Sequence, residues 1–191
     1  FMSRVKLNKT AMISLIKSGA FDRLENEWAT EMGMHPRVAT MAYYLSIVSE
    51  PKSRLTLQNF NGLMKKDLVP RSLDLQKRTF NFNKYLKTKK VGQYYTLDDI
   101  ALQFYEKCFD MEELEVINGV TCILQTKWDK IYKKEMDTAR DWLKENHDEV
   151  LQQYNTLLFK ETWNKYATGN VSAWEMEALC FYYHEHELAN V

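Results

Sequence analysis

The sequence predicts an all-α, multi-helix protein, and three observations carry that prediction. Apolar residues recur at helical spacing in segment after segment. Capping residues stand where those segments begin. The 191 residues include only six Gly and three Pro, too few for the turns of a β-sandwich or barrel. With 45% hydrophobic and 27% charged residues, the chain has enough apolar side chains for a core, which excludes a disordered tail.

Taken in order, Asn8 or Thr10 can cap a first helix bearing Met12, Leu15 and Ile16, and Ser18-Gly19 ends it. Asp22 with Glu25 reads as a capping box for a second helix that turns Leu24 and Trp28 inward and stops at Gly33. Pro36 opens a third through Val38, Met41, Ala42, Leu45 and Val48, and Pro51 forbids its continuation. In residues 52–70, Asn59, Asn61 and Gly62 weaken any helix. Lys87 to Gln93 reads as a solvated loop, and Thr96 with Asp99 as the cap of a helix carrying Ile100, Phe104 and Cys108. Residues 112–145 suit one broken helix or two. Asn146 or Asp148 can start another, through Val150, Leu151, Tyr154, Leu157 and Leu158 to Gly169. Ser172 with Glu175 caps a last helix over 173–188. Three separated cysteines give neither a disulfide framework nor a zinc spacing, and are expected to be reduced and mostly buried.

The zero net charge hides an asymmetry. Residues 52–90 hold eleven Lys and Arg against Asp67 and Asp74, a net of +9, whereas residues 91–191 hold nine against nineteen acids, a net of −10. Phe60, Phe80, Phe82 and Tyr85 interleave the basic residues, as on a surface that meets a polyanion. The alternative is that the two regions neutralise each other within the fold.

Two blocks carry a family resemblance. The first runs from Phe1-Met2-Ser3-Arg4-Val5-Lys6-Leu7-Asn8-Lys9-Thr10 into Leu15-Ile16-Lys17-Ser18-Gly19-Ala20-Phe21-Asp22-Arg23-Leu24. The second is Glu175-Met176-Glu177-Ala178-Leu179-Cys180-Phe181-Tyr182-Tyr183-His184-Glu185-His186-Glu187-Leu188. In that order they resemble two segments of the DNA polymerase III α subunit, the family C replicative polymerase of bacteria and their phages. Cys180 stands where the family has glycine, Glu185 replaces a second glycine and Glu187 a proline, so the last helix is expected to run further than in the family.

The resemblance implies a piece, excised or separately encoded, of the helical region that contains helix-hairpin-helix elements and leads toward the clamp contact. The chain then reads as a single helical region of a larger polymerase. Residues 1–50 are its helix-hairpin-helix-like part, 51–95 a basic segment and 96–191 an acidic helical part. A hairpin turn of this kind presents backbone N–H groups to a phosphate. The expected DNA-binding residues are Lys9, Lys17, Ser18, Gly19, Ala20 and Arg23, joined by Lys65, Lys66, Lys77 and Arg78. Without the family, Gly19 reads as an ordinary helix end and Phe21 as a core anchor.

No catalytic residue, metal ligand or cofactor is expected in this segment. Asp98-Asp99 reads as a helix start rather than a metal-holding cluster, and no phosphate-cradling glycine loop exists. Cys180, His184 and Glu187 share a helical face that could hold a metal, although a partly buried Cys and a capping His account for them as well. Gln58 to Met64 and Gln153 to Phe159 are imperfect clamp-binding motifs. The expected function is therefore non-catalytic grip on duplex DNA and processivity within a nucleotidyltransferase. The expected partners are duplex DNA and the rest of the polymerase chain, with the sliding clamp a further candidate. The alternative is a stand-alone viral protein engaging the host clamp or replisome. A cytoplasmic location is expected, with no membrane partner.

Overall fold

The computed structural model describes residues 7–23, 27–31 and 33–182. Its helices are α1 (Lys9–Lys17), α2 (Glu27–Glu31), α3 (Pro36–Val48), α4 (Phe60–Lys65), α5 (Asp74–Thr88), α6 (Asp99–Cys108), α7 (Gln125–Glu145), α8 (His147–Tyr166) and α9 (Val171–Leu179). The predominantly helical class is as the sequence predicts. Strands β1 (Lys90–Val91), β2 (Tyr94–Thr96), β3 (Leu114–Ile117) and β4 (Val120–Leu124) add a small antiparallel sheet in the order β1-β2-β4-β3.

The chain divides into two compact units, a discontinuous one of residues 1–52 with 155–191 and an inserted one, Ser53–Tyr154. The first boundary lies close to the start of the basic segment. The second falls within α8, far from the change of charge at residue 95.

In the discontinuous unit, Asn8 caps α1 by accepting from the Ala11 N–H at 2.8 Å. His35 caps α3, with Pro36 at its first turn. Met12, Ile13 and Ile16 of α1 meet Met41 and Leu45 of α3 and Trp174 of α9, Ile16 and Leu45 each lying one turn beyond the residues before them on the same face. The Trp174 indole N–H is satisfied by the Thr168 carbonyl at 3.0 Å. Of the expected second helix, Leu24 and Glu25 lie outside the described residues. Asp22 takes another role described below.

In the inserted unit, Phe82 and Leu86 of α5, Tyr105 of α6, Ile123 of β4 and Trp128 of α7 form the core. Trp128 stands edge-on to Phe82 at 5.3 Å and donates its indole N–H to Asn83 at 3.0 Å. The sheet is the main departure from the sequence reading. Asn118 and Gly119 adopt φ of 52° and 78°, the left-handed pair that a tight hairpin needs, and the β-branched Val116, Ile117, Val120 and Thr121 flank them. Gly92, at φ 59°, turns β1 into β2 where a loop was expected. The cap of α6 is Asp98 rather than Thr96, its carboxylate accepting from the Ala101 N–H at 3.1 Å.

The last helix is shorter than expected. Asn170, not Ser172, caps α9, and the helix stops at Leu179 because Cys180 takes φ 62°. The backbone keeps a left-handed residue at the position where the resemblance puts glycine, although a side chain now sits on it.

Candidate nucleic-acid interface

α5 is the helix on which the basic stretch becomes a surface. Its buried residues Gln76, Thr79, Phe82, Asn83 and Leu86 repeat every three or four positions and define one face. At 3.6 residues per turn, Lys77, Asn81 and Lys84 fall opposite, with Arg78 and Tyr85 along one flank and Lys87 along the other. Lys77 and Arg78 were expected from the sequence. Lys84 and Lys87 were counted there only as charge, and helical angle is the signal that places them.

Pairing within the inserted unit leaves most of this charge available. Arg78 binds Asp74 one turn back at 2.7 Å, and Lys89 lies 3.4 Å from Asp98. Lys127 pairs with Glu113 and Glu115, and Arg140 with Asp137, all inside the acidic part. Among the described residues, Lys65, Lys77, Lys84 and Lys87 have no carboxylate within ion-pair distance. Lys65 ends α4, and Lys66, its C-cap, lies 5.7 Å over the Tyr154 ring.

Beside this face, α5 and α6 enclose a groove of about 420 Å³ whose lining includes Arg78, Asn81, Tyr85, Ile100 and Phe104. The Tyr85 hydroxyl donates to the Asp98 carboxylate, the residue that caps α6. That bond raises the pKa of Tyr85, and with Ala101 N–H and Lys89 it lowers that of Asp98. A cavity of about 710 Å³ elsewhere in the unit mixes Arg54, Arg140 and Lys144 with Glu145, Asp148 and Glu149, so it offers no single sign of charge to a ligand.

The turn after α1 is built differently from a phosphate cradle. The N–H groups of Ser18, Gly19 and Ala20 donate to the Ser14, Ile16 and Leu15 carbonyls at 2.9–3.1 Å, and that of Asp22 to Gly19 at 3.1 Å. Arg37, 1% exposed, fills the space against the turn. It donates to the Lys17 carbonyl at 3.1 Å, to the Asp22 carboxylate and to Glu175 of α9 at 3.0 Å. Burial alone would lower the Arg37 pKa, but the bonds and attraction of Asp22 and Glu175 outweigh it and raise it.

Gly19 has φ 82°, and a Cβ there would lie 2.7 Å from Asp22 Oδ2 and 3.0 Å from Arg37 Cζ. Lys17 is 7% exposed and bound to Glu177 at 2.6 Å. The two sequence blocks therefore meet, Lys17 with Glu177 and Asp22 with Glu175 through Arg37. Among the described residues, Arg23 is exposed beside the turn, while Lys9 is exposed at the opposite end of α1, 5.7 Å over the Tyr166 ring. Ala20 is exposed, and Ser18 spends its hydroxyl on the Leu15 carbonyl.

The remaining candidates resolve by burial. Phe60 and Leu63 of the first clamp-like motif are fully buried, so that segment does not present them. In the second, Tyr154 is buried, and Phe159 packs on the core of the discontinuous unit. His184, His186 and Glu187 lie outside the described residues, and no cluster of metal-ligating side chains occurs among those described. Cys122 is buried, Cys108 half-buried and Cys180 exposed, so the thiols are less uniformly buried than expected. No helix among the described residues is long and apolar enough to cross a membrane.

No family model matches this sequence, and no solved structure matches it. Two curated proteins do: the probable DNA polymerase YorL of Bacillus subtilis strain 168 and the DNA-directed DNA polymerase of Bacillus phage SPbeta. Each is 32% identical to this chain over 194 residues. Each alignment takes in 97% of this chain but 14% of the relative. The chain is thus homologous, along nearly its whole length, to one short segment of bacterial and phage DNA polymerases.

Proposed function

We propose that this chain is a non-catalytic DNA-binding region of a family C replicative polymerase α subunit, contributing grip on duplex DNA and processivity. The observation that carries the reading is the outward side of α5, where Lys77, Lys84 and Lys87 have no carboxylate partner among the described residues, in a chain homologous to DNA polymerases. Side-chain cations without carboxylate partners release the counterions condensed on DNA when they meet its phosphates, and the gain is independent of base sequence. That suits a protein that must travel along any template. Lys65, Lys66 and Arg78 add positive charge within the inserted unit, and Lys9 and Arg23 are exposed cations of the discontinuous unit. The lowered pKa of Asp98 and the buried Arg37 cluster serve the fold in this reading, not chemistry.

Fluorescence anisotropy of a labelled duplex across a salt series tests the proposal. Neutralising ~4–6 phosphates gives a slope of log K against log salt of about −4 to −5. Replacing Lys65, Lys77, Lys84 and Lys87 with Ala should weaken binding equally for unrelated sequences and flatten the slope. Absence of association at ~20 mM salt, with the helical circular dichroism intact, would remove DNA binding.

A further inference from the structure

We propose that the groove between α5 and α6 seats an unpaired nucleobase, which makes the inserted unit a binding site for single-stranded DNA. This rests on the DNA-binding reading above and adds to it a strand state and a place. The groove is largely apolar, with Phe82 and Ala101 at 8% and 1% exposure inside it. Tyr85 and Phe104 supply aromatic rings, and Phe104 lies 4.5 Å from the Phe82 ring, so it is backed by the core. Ile100 is 77% exposed there, a large apolar surface left in water.

Three features favour a base over an apolar peptide side chain. Arg78 and Asn81 line the groove, the one a planar cation and the other an amide that can both donate to and accept from a base edge. The Tyr85 ring is held in place by its hydroxyl bond to Asp98, so little ordering is left for a ligand to impose. The helix forming one wall carries Lys77 and Lys84 on the face adjoining Asn81, which suits a phosphate chain and opposes a basic partner. A duplex keeps its base faces stacked inside. Only an unstacked base can offer a π-face and an edge together.

The test uses the whole chain and two labelled probes, oligo-thymidylate of about 20 nucleotides and a duplex of the same length. Ile100→Glu changes a residue that is mostly in water and leaves the core alone. It should weaken the single strand about tenfold, the effect of losing one stacked base, and the duplex less than about twofold. Asn81→Ala should act in the same direction. Lys84→Ala should weaken both probes alike. Ultraviolet crosslinking of iodo-deoxyuridine oligonucleotides should map to Tyr85 or Phe104. If duplex binding persists and Ile100→Glu affects both probes equally, the groove proposal falls and the DNA-binding reading stands. If neither probe binds at low salt and the fold is intact, both fall. An acidic amphipathic peptide that binds with a dependence on Ile100 which oligo-thymidylate lacks would make the groove a peptide site and overturn the proposal.

Discussion

Arg37 Nη1 donates to Glu175 Oε1 at 3.0 Å, joining α3 to α9 across 138 residues of sequence. Both side chains are 1% exposed. The same guanidinium holds Asp22 and the Lys17 carbonyl, and Lys17 in turn reaches Glu177. The lysine, glycine and aspartate of the first block and the two glutamates of the second thus belong to one arrangement around an arginine that lies in neither.

Breaking this arrangement at its centre should be expensive. Arg37→Leu takes the cation away from two carboxylates and a carbonyl, and losing one member of a buried charged pair typically costs about 3–5 kcal/mol. Glu175→Gln keeps an acceptor for the guanidinium and should cost about 1 kcal/mol. Urea unfolding followed by tryptophan fluorescence would report both, since Trp174 adjoins Glu175 and is buried. Equal, small losses for the two variants would show that the cluster is not what joins α3 to α9.

Gly19→Val should destabilise the discontinuous unit by more than about 2 kcal/mol, combining a left-handed backbone with a Cβ that displaces Arg37. In the Arg37→Leu background the part of that loss due to Arg37 should vanish, while the strained backbone and the Asp22 contact remain. A double-mutant cycle in urea measures the coupling, and additivity would mean the glycine does not answer to Arg37.

Cys180→Gly should do the reverse and stabilise by about 1 kcal/mol, since glycine adopts φ 62° without steric cost. Cys180 should also be the first thiol to react with a disulfide reagent. Cys122 is buried, and burial, with the nearby Glu115 carboxylate, raises its pKa. Faster labelling of Cys122 would contradict the described packing of β4.

The helices were legible where local rules coincide with burial. Asn8, Pro36 and the Ser18-Gly19 stop each act within one turn of chain, so sequence shows them. The sheet was missed because residues 112–145 are rich in charge and were read as helix, although Asn118-Gly119 between β-branched residues is a short-range hairpin signal. The end of α9 was missed because substituting a glycine was taken to release the conformation. The backbone takes that conformation with a side chain on it, the Cys180 N–H donating to the Met176 carbonyl at 3.1 Å. For the candidate interface, counting charge marks the 52–90 stretch, and helical angle is needed to separate Lys84 and Lys87 from the buried Asn83 and Leu86. Arg37 carried no sequence signal at all. A buried arginine is defined by the carboxylates around it, and those stand 15 and 138 positions away.

Asp98 sets the pH dependence expected in the acid range. Its folded pKa lies below the ordinary 3.8, first because the Tyr85 hydroxyl donates to it, then through the Ala101 N–H and Lys89. A lowered carboxylate pKa contributes stability that is fully present above the unfolded value and disappears as pH falls through the folded one. The contribution should therefore be constant above about pH 4 and fade at lower pH. Asp98→Asn keeps a capping oxygen but does not titrate, so the advantage of the parent chain over this variant should shrink on acidification through the same range. Tyr85→Phe removes the largest cause of the shift while keeping the ring in the α5–α6 groove, and should move the fading to higher pH. Carboxyl carbon chemical shifts of Asp98, titrated in the parent and in Tyr85→Phe, give the two midpoints directly. Coincident midpoints would show that the tyrosine bond does not form in solution, and would leave the groove without the fixed ring that the base-binding proposal uses.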